Sequence, residues 1–135
     1  MADELMVEIV TPEKMVFSGK IEEVTIPGGD GEFGALIGHA PLLSTVDIGV
    51  LNYTKDGKKT YYAVGAGYTE ITSDKVTVLV ESAERADMID KEKVGESKEL
   101  AEQKLSRISK NDTDYETTRA ALENAENKLK VAGKV

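Results

Sequence analysis

A single histidine, His39, stands in the segment Gly38-His39-Ala40-Pro41-Leu42-Leu43, and histidine is the side chain most often recruited as a general base. A base needs a partner and a pocket, and the glycine, alanine, proline and leucine around His39 offer neither, so a structural or interface role is the better reading. The 135 residues contain no Cys, which removes thiolate nucleophiles, disulfides and zinc–thiolate sites together. No Ser sits in a nucleophile elbow. The Asp and Glu residues are scattered through strands and turns, and an enzyme built on His39 with Asp47 or Glu32 is the weakest reading.

Glycines at 29, 31 and 34 reproduce the spacing G-x-G-x-x-G within Gly28-Gly29-Asp30-Gly31-Glu32-Phe33-Gly34. That spacing signals dinucleotide binding only where a helix follows. Here Ala35-Leu36-Ile37-Gly38 and then Pro41 follow instead. We read the segment as a β-turn excursion that presents Glu32 and Phe33 at a loop tip, where they suit contact with another protein. Gly65-Ala66-Gly67 reads as a bulge or bend.

Seventeen basic side chains stand against 25 acidic ones, for a net charge of -8. Nonspecific nucleic-acid affinity rests on neutralising phosphates, and docking on anionic lipid rests on the same charges, so both are disfavoured. No apolar run approaches membrane-spanning length, and Met1-Ala2-Asp3-Glu4 is acidic where a secretory signal needs positive charge. We expect a soluble chain that reaches a membrane only through another protein.

The elements that must position these residues divide near residue 86. All three Pro, ten of the twelve Gly and six of the seven Phe and Tyr precede it. Residues 5–10 alternate with period 2, and further β-rich runs cover 20–26, 50–54, 60–64, 68–71 and 75–80. Asp56-Gly57 reads as a hairpin turn, and Ser73-Asp74 marks another. Such strands build a sandwich or flattened barrel. With no βαβ alternation, we expect antiparallel pairing and no parallel strands. Tyr61, Tyr62 and Tyr68 fall on opposite faces, which argues against a free-standing β-sandwich ligand-binding module, the alternative reading.

Beyond residue 86, Val94, Ser97, Ala101, Leu105 and Ile108 step by three and four, as do Tyr115, Thr118, Leu122, Ala125 and Leu129. Thr113 followed by Glu116 predicts a capping box for the second helix. Stripes this rich in Ser, Ala and Thr must lie on something to persist, and a helical hairpin with facing seams answers that need. The pattern alone leaves open whether the pair is static or able to open.

The order of parts resembles the epsilon subunits of bacterial and plastid F-type ATP synthases. The resemblance rests on Ile9-Val10-Thr11-Pro12 with Phe17-Ser18-Gly19, and on Gly31-Glu32-Phe33-Gly34 leading into Gly38-His39-Ala40-Pro41-Leu42. It extends through Gly65-Ala66-Gly67-Tyr68-Thr69-Glu70-Ile71, and through Val76-Thr77-Val78-Leu79 with Ala83-Glu84-Arg85-Ala86. It implies a ten-stranded β-sandwich over residues 1–86 and a two-helix regulatory hairpin over 87–135. Also implied is a non-catalytic rotor subunit that couples the proton-driven ring of c subunits to the γ subunit.

On this resemblance Asp30, Gly31, Glu32 and Phe33 meet the c-ring, and Gly38, His39, Ala40, Pro41 and Leu42 lie in the region of γ contact. The hairpin would extend toward the α and β catalytic subunits to obstruct rotation, with Arg119, Lys128, Lys130 and Lys134 as its basic tail. Family members that bind ATP carry Ile/Leu-Asp-x-x-Arg-Ala. Here the motif reads Ile89-Asp90-Lys91-Glu92-Lys93-Val94, with Glu84 and Lys128 in its setting and Leu100 where an Arg tends to stand. Lysine lacks the guanidinium fork, so ATP is expected as a weak regulatory ligand, with no cofactor required and no metal. The implied location is the cytoplasmic face of a bacterial membrane, or a plastid thylakoid, through the complex and without membrane insertion.

Overall fold

The computed structural model describes residues 4–134. Ten strands come first: β1 (Leu5–Val10), β2 (Met15–Ile21), β3 (Glu23–Gly28), β4 (Gly31–Leu36), β5 (Leu42–Val46), β6 (Gly49–Lys55), β7 (Lys58–Val64), β8 (Gly67–Ile71), β9 (Lys75–Val80) and β10 (Ala83–Arg85). A single 3₁₀ turn over Ala86–Met88 leads to helices α1 (Lys91–Arg107) and α2 (Tyr115–Ala132).

The strands form one sheet in the order β10-β7-β6-β3-β5-β8-β9-β1-β2, with β4 paired on β3. Strand β3 pairs with β6 through residues 23–25 and meets β5 only at Gly28 and Val46. The sheet folds over at that corner, and the inward faces of both halves enclose one core. Leu5, Val7, Ile9, Ile21, Val24, Ile26, Leu51, Val76 and Val78 are fully buried there. Their period-2 spacing is what fixes the register, because a one-residue slip would turn every one of them outward. Phe17 stacks on Tyr53, with centroids 4.5 Å apart, and Tyr53 lies 5.9 Å from Tyr62. Burial and the Tyr53 hydroxyl together push the Tyr62 phenol well above its ordinary pKa.

The turn after β6 has Asp56 at φ 52° and Gly57 at φ 76°, two positive φ values that match the right-handed strand twist. A Cβ on Gly67 would lie 1.9 Å from the Leu79 carbonyl oxygen. At that bend only glycine allows β8 to reach β9.

Four expectations are corrected. Strand β1 pairs parallel with β9 from Met6 opposite Lys75 to Val10 opposite Leu79. A parallel pair needs only a long connection, and the seven intervening strands supply it without a crossover helix. The run 20–26 is two strands broken at Glu22, whose amide donates to the Thr54 carbonyl. Phe33 is not at a loop tip: it lies in β4 opposite Ile26, half-buried against the core. The capping box does not form, because α2 begins after Asp114 and the Asp112 carboxylate accepts from the Asp114 amide at 2.8 Å.

The helices form the expected hairpin, with Ala101, Thr118 and Ala125 buried where α1 meets α2. Ser97, expected in the seam, is exposed, its hydroxyl bonded back to the Lys93 carbonyl.

Candidate functional site

Alternation decides which residues of the second half-sheet face outward. Thr69, Ile71, Val76, Val78 and Val80 point into the core, so Tyr68, Thr77 and Leu79 must point out. The pairings then align Thr45, Tyr68, Leu79, Val10 and Met15 as direct cross-strand neighbours over β5, β8, β9, β1 and β2. At the strand spacing this row is about 19 Å long. Tyr68 is 60% exposed, Leu79 51% and Met15 51%, while Leu43, on the same face of β5, is 72% exposed. A shallow groove of about 390 Å³ lies at the middle of the row, lined by Tyr68, Leu79 and Val10, with Pro12 on its wall. Contiguous exposed apolar surface of this kind marks a contact surface.

The two segments singled out in the sequence lie at opposite ends of β5. The Gly29 amide donates to the Thr45 carbonyl and the Asp47 amide to the Pro27 carbonyl, which puts the Asp30 turn beside the Val46 end. Asp30, Gly31 and Glu32 are exposed there. The Gly38 amide donates to the Ser73 carbonyl at 2.6 Å, which anchors the Gly38–Leu42 segment at the β8–β9 turn. His39 is half-exposed and donates from Nδ1 to the Ala40 carbonyl at 2.6 Å. Around it, Leu36, Ile37 and Leu42 are exposed.

Helix α2 lies on β6, β7 and the 3₁₀ turn, and α1 packs on α2. The joint is thin. Ala63, Ala86, Ile89, Val131 and Ala132 are buried in it, with Val50, Tyr61 and Val94 at its margin. Three polar contacts surround it: the Asn127 side-chain amide donates to the Gly49 carbonyl at 2.7 Å, the Lys128 ammonium sits 3.6 Å from Glu84, and the Lys134 ammonium sits 5.4 Å from the Tyr61 ring centre.

The residues of the ATP-motif expectation are divided among separate tasks. Ile89 is part of the apolar joint. Asp90 is the N-cap of α1 and accepts from the Lys93 amide at 3.1 Å, a contact that stabilises helices by about 1 kcal/mol. The Lys93 side chain and Leu100 are exposed. The paired Glu84 and Lys128 line a groove of about 420 Å³ that neither Asp90 nor Lys93 lines. Of the basic tail, Arg119 lies 4.0 Å from Glu116 one turn away and Lys130 is exposed. Lys128 and Lys134 serve the joint.

Sequence reasoning passed over Asn127, Tyr68 and Leu79 as site residues. Asn127 bonds a carbonyl 78 positions away, for which no local signal exists. The outward phase of Tyr68 and Leu79 was readable from the alternation of β8 and β9.

A family model described as ATP synthase, Delta/Epsilon chain, beta-sandwich domain matches residues 4–86, and one described as ATP synthase, Delta/Epsilon chain, long alpha-helix domain matches residues 87–133. The chain is 48% identical to the ATP synthase epsilon chain of Geotalea uraniireducens, over 99% of this chain and 97% of that one. It is 47% identical to that of Geobacter sulfurreducens, with the same coverage. In fold it is similar to a chain in the structure of the Euglena gracilis mitochondrial ATP synthase, OSCP/F1/c-ring in rotational state 1. The TM-score there is 0.79 at 23% identity, covering 98% of this chain and 82% of that one.

The Asn127→Ala substitution removes the one hydrogen bond between α2 and β6 at Gly49. It should weaken docking of the hairpin by about 1 kcal/mol, and tryptic cleavage after Lys128 should accelerate roughly fivefold while thermal unfolding of the sheet is unchanged. Cleavage at the wild-type rate would show that this bond does not hold the helix.

Proposed function

The chain belongs to the ATP synthase delta/epsilon family as an epsilon chain, a non-catalytic subunit, and on that premise we propose that its sheet is a coupling surface and its hairpin a releasable brake. The outer face of β5, β8, β9, β1 and β2 docks on γ, with Tyr68, Leu79 and Leu43 as its apolar anchors and the Gly38–Leu42 segment at its margin. The exposed Asp30–Glu32 turn meets the polar loops of the c-ring. Rotation passes through a rigid body, because the strands carrying both contacts share one close-packed core. The complex then holds the chain at the cytoplasmic face of the membrane. Among the described residues, no helix is long and apolar enough to cross a membrane.

The exposed Met15, Leu79, Tyr68 and Leu43 on one outer face are the observation that carries the docking proposal. Leu79→Asp places a charge in that row without touching the core, so the isolated fold should keep its thermal midpoint. Hot-spot truncations at such surfaces cost 2 kcal/mol or more, so affinity for γ should fall about thirtyfold or further. Co-purification of the variant with γ at wild-type strength would reject this face as the docking surface.

Released from the joint, the hairpin extends toward the α and β subunits and obstructs ATP hydrolysis. Its apolar joint is small enough for release at modest cost. ATP controls that release only weakly: Asp90 is occupied as a helix cap, Lys93 offers a point charge in place of a fork, and Leu100 is apolar. Each missing charge-assisted contact costs about 1.5–3 kcal/mol. Two such losses move a micromolar site toward the millimolar range. Calorimetric titration of the full chain with ATP should therefore give a millimolar dissociation constant; a low-micromolar value would show that Lys93 and Leu100 are no obstacle.

A further inference from the structure

The residue at the corner between β2 and β3 holds a turn far from it in the chain. The Glu22 amide donates to the Thr54 carbonyl at 2.8 Å, and the Glu22 carboxylate accepts from the Gly57 amide at 3.0 Å, 35 positions on. One residue thus clamps both the end of β6 and the turn that follows it. The turn needs the hold, because Lys55 and Lys58 face each other directly across its stem and like charges so placed destabilise a strand pair. The central residues are Asp56 at φ 52° and Gly57 at φ 76°. In a two-residue turn the closing hydrogen bond joins the flanking residues, so the amide of the second central residue has no partner within the turn. Glu22 supplies that partner.

Asp56-Gly57 is fully on the surface, and it is the dipeptide in which an aspartyl side chain most readily reaches the next backbone nitrogen, since glycine puts no side chain in the way. We propose that Asp56 is a site of isoaspartate formation and that Glu22 guards it in the folded chain. The Gly57 nitrogen attacks Asp56 Cγ: the N–Cγ bond forms, and the carboxyl hydroxyl leaves with the amide hydrogen as one water. Water then opens the cyclic imide at either carbonyl. Cleavage at Cγ restores aspartate, whereas cleavage at the backbone carbonyl carbon leaves Gly57 joined through Cγ, with the Asp56 methylene now part of the main chain. The lengthened turn loses the paired φ values that match the strand twist, at the end of the β6–β7 pair on which α2 lies. With the Gly57 N–H aimed at Glu22, Asp56 Cγ cannot occupy the direction in which the nitrogen loses its proton. The site is independent of the γ-facing surface and of release of the hairpin.

The full chain is aged at neutral pH as wild type, Glu22→Ala and Glu22→Gln, and isoaspartate at Asp56 is measured by peptide mapping with a fragmentation method that separates the two linkages. Wild type aged in urea gives the unguarded rate. The other Asp-Gly pair, Asp30-Gly31, lies at the opposite end of β3 from Glu22 and is the internal control. Folded wild type should accumulate isoaspartate at Asp56 well below the urea rate. Glu22→Ala should raise that accumulation about fivefold or more, the population change expected when one hydrogen bond is lost. Glu22→Gln keeps a carbonyl oxygen in the acceptor position and should fall between the two, which preserves the test if alanine loosens the corner. Asp30 should age alike in all three folded chains. The proposal is overturned by the absence of isoaspartate at Asp56 in urea, or by equal rates at Asp56 in wild type and Glu22→Ala. Slower ageing of Glu22→Ala would also overturn it, since Glu22 would then be a base that promotes the attack, as would an equal acceleration at Asp30, the sign of general loosening.

Discussion

The behaviour of this subunit turns on the joint between α2 and the outer face of β6 and β7. Five buried residues hold it, three of them alanines. Val131 is fully buried and contributes about 1.5–3 kcal/mol. The Asn127 bond adds about 1 kcal/mol, and the Glu84–Lys128 pair, partly open to solvent, adds at most about 1 kcal/mol. Sixteen buried residues make up the core of the sheet, and none comes from the hairpin. The two units therefore have separate cores of very different size, and on the proposed function the larger one is the rigid coupling body and the smaller joint the one that gives way.

This difference also explains why small residues recur in the helical seams. Alanine and threonine at Ala101, Thr118 and Ala125 let the helices approach closely while burying little apolar area. A hairpin lined with leucine would hold its docked state more firmly, since each fully buried leucine adds about 1.5–3 kcal/mol. The exposed row on the opposite half of the sheet has the complementary property. It is apolar where the proposed docking on γ would bury it, and it lies on the unit with the larger core.

Much of this was legible in the sequence because it is local. Period-2 burial at Leu5, Val7 and Ile9, the Asp56-Gly57 turn and the facing helical stripes follow from residue type and spacing alone. What was not legible depends on residues distant in the chain. Strand β1 chooses β9 because the sheet folds over on itself, and Asn127 finds Gly49 only after α2 has docked. Phe33 lies in a glycine-rich segment that reads as a turn, yet its pairing with β3 places the ring against the core. At the α2 start the N-cap is Asp114, one residue past Thr113, and no side chain caps the helix; the Asp112 carboxylate holds the preceding turn instead.

Native-state amide hydrogen exchange of the full chain is the most direct test of two units joined by a weak seam. Amides of β1, β6, β8 and β9 should exchange only through global unfolding, while those of α1 and α2 should exchange through a separate opening of lower free energy, insensitive to changes in the sheet core. Helices and sheet exchanging together, with the same free energy and the same denaturant dependence, would contradict the account, because the hairpin could then not be released while the sheet stays folded.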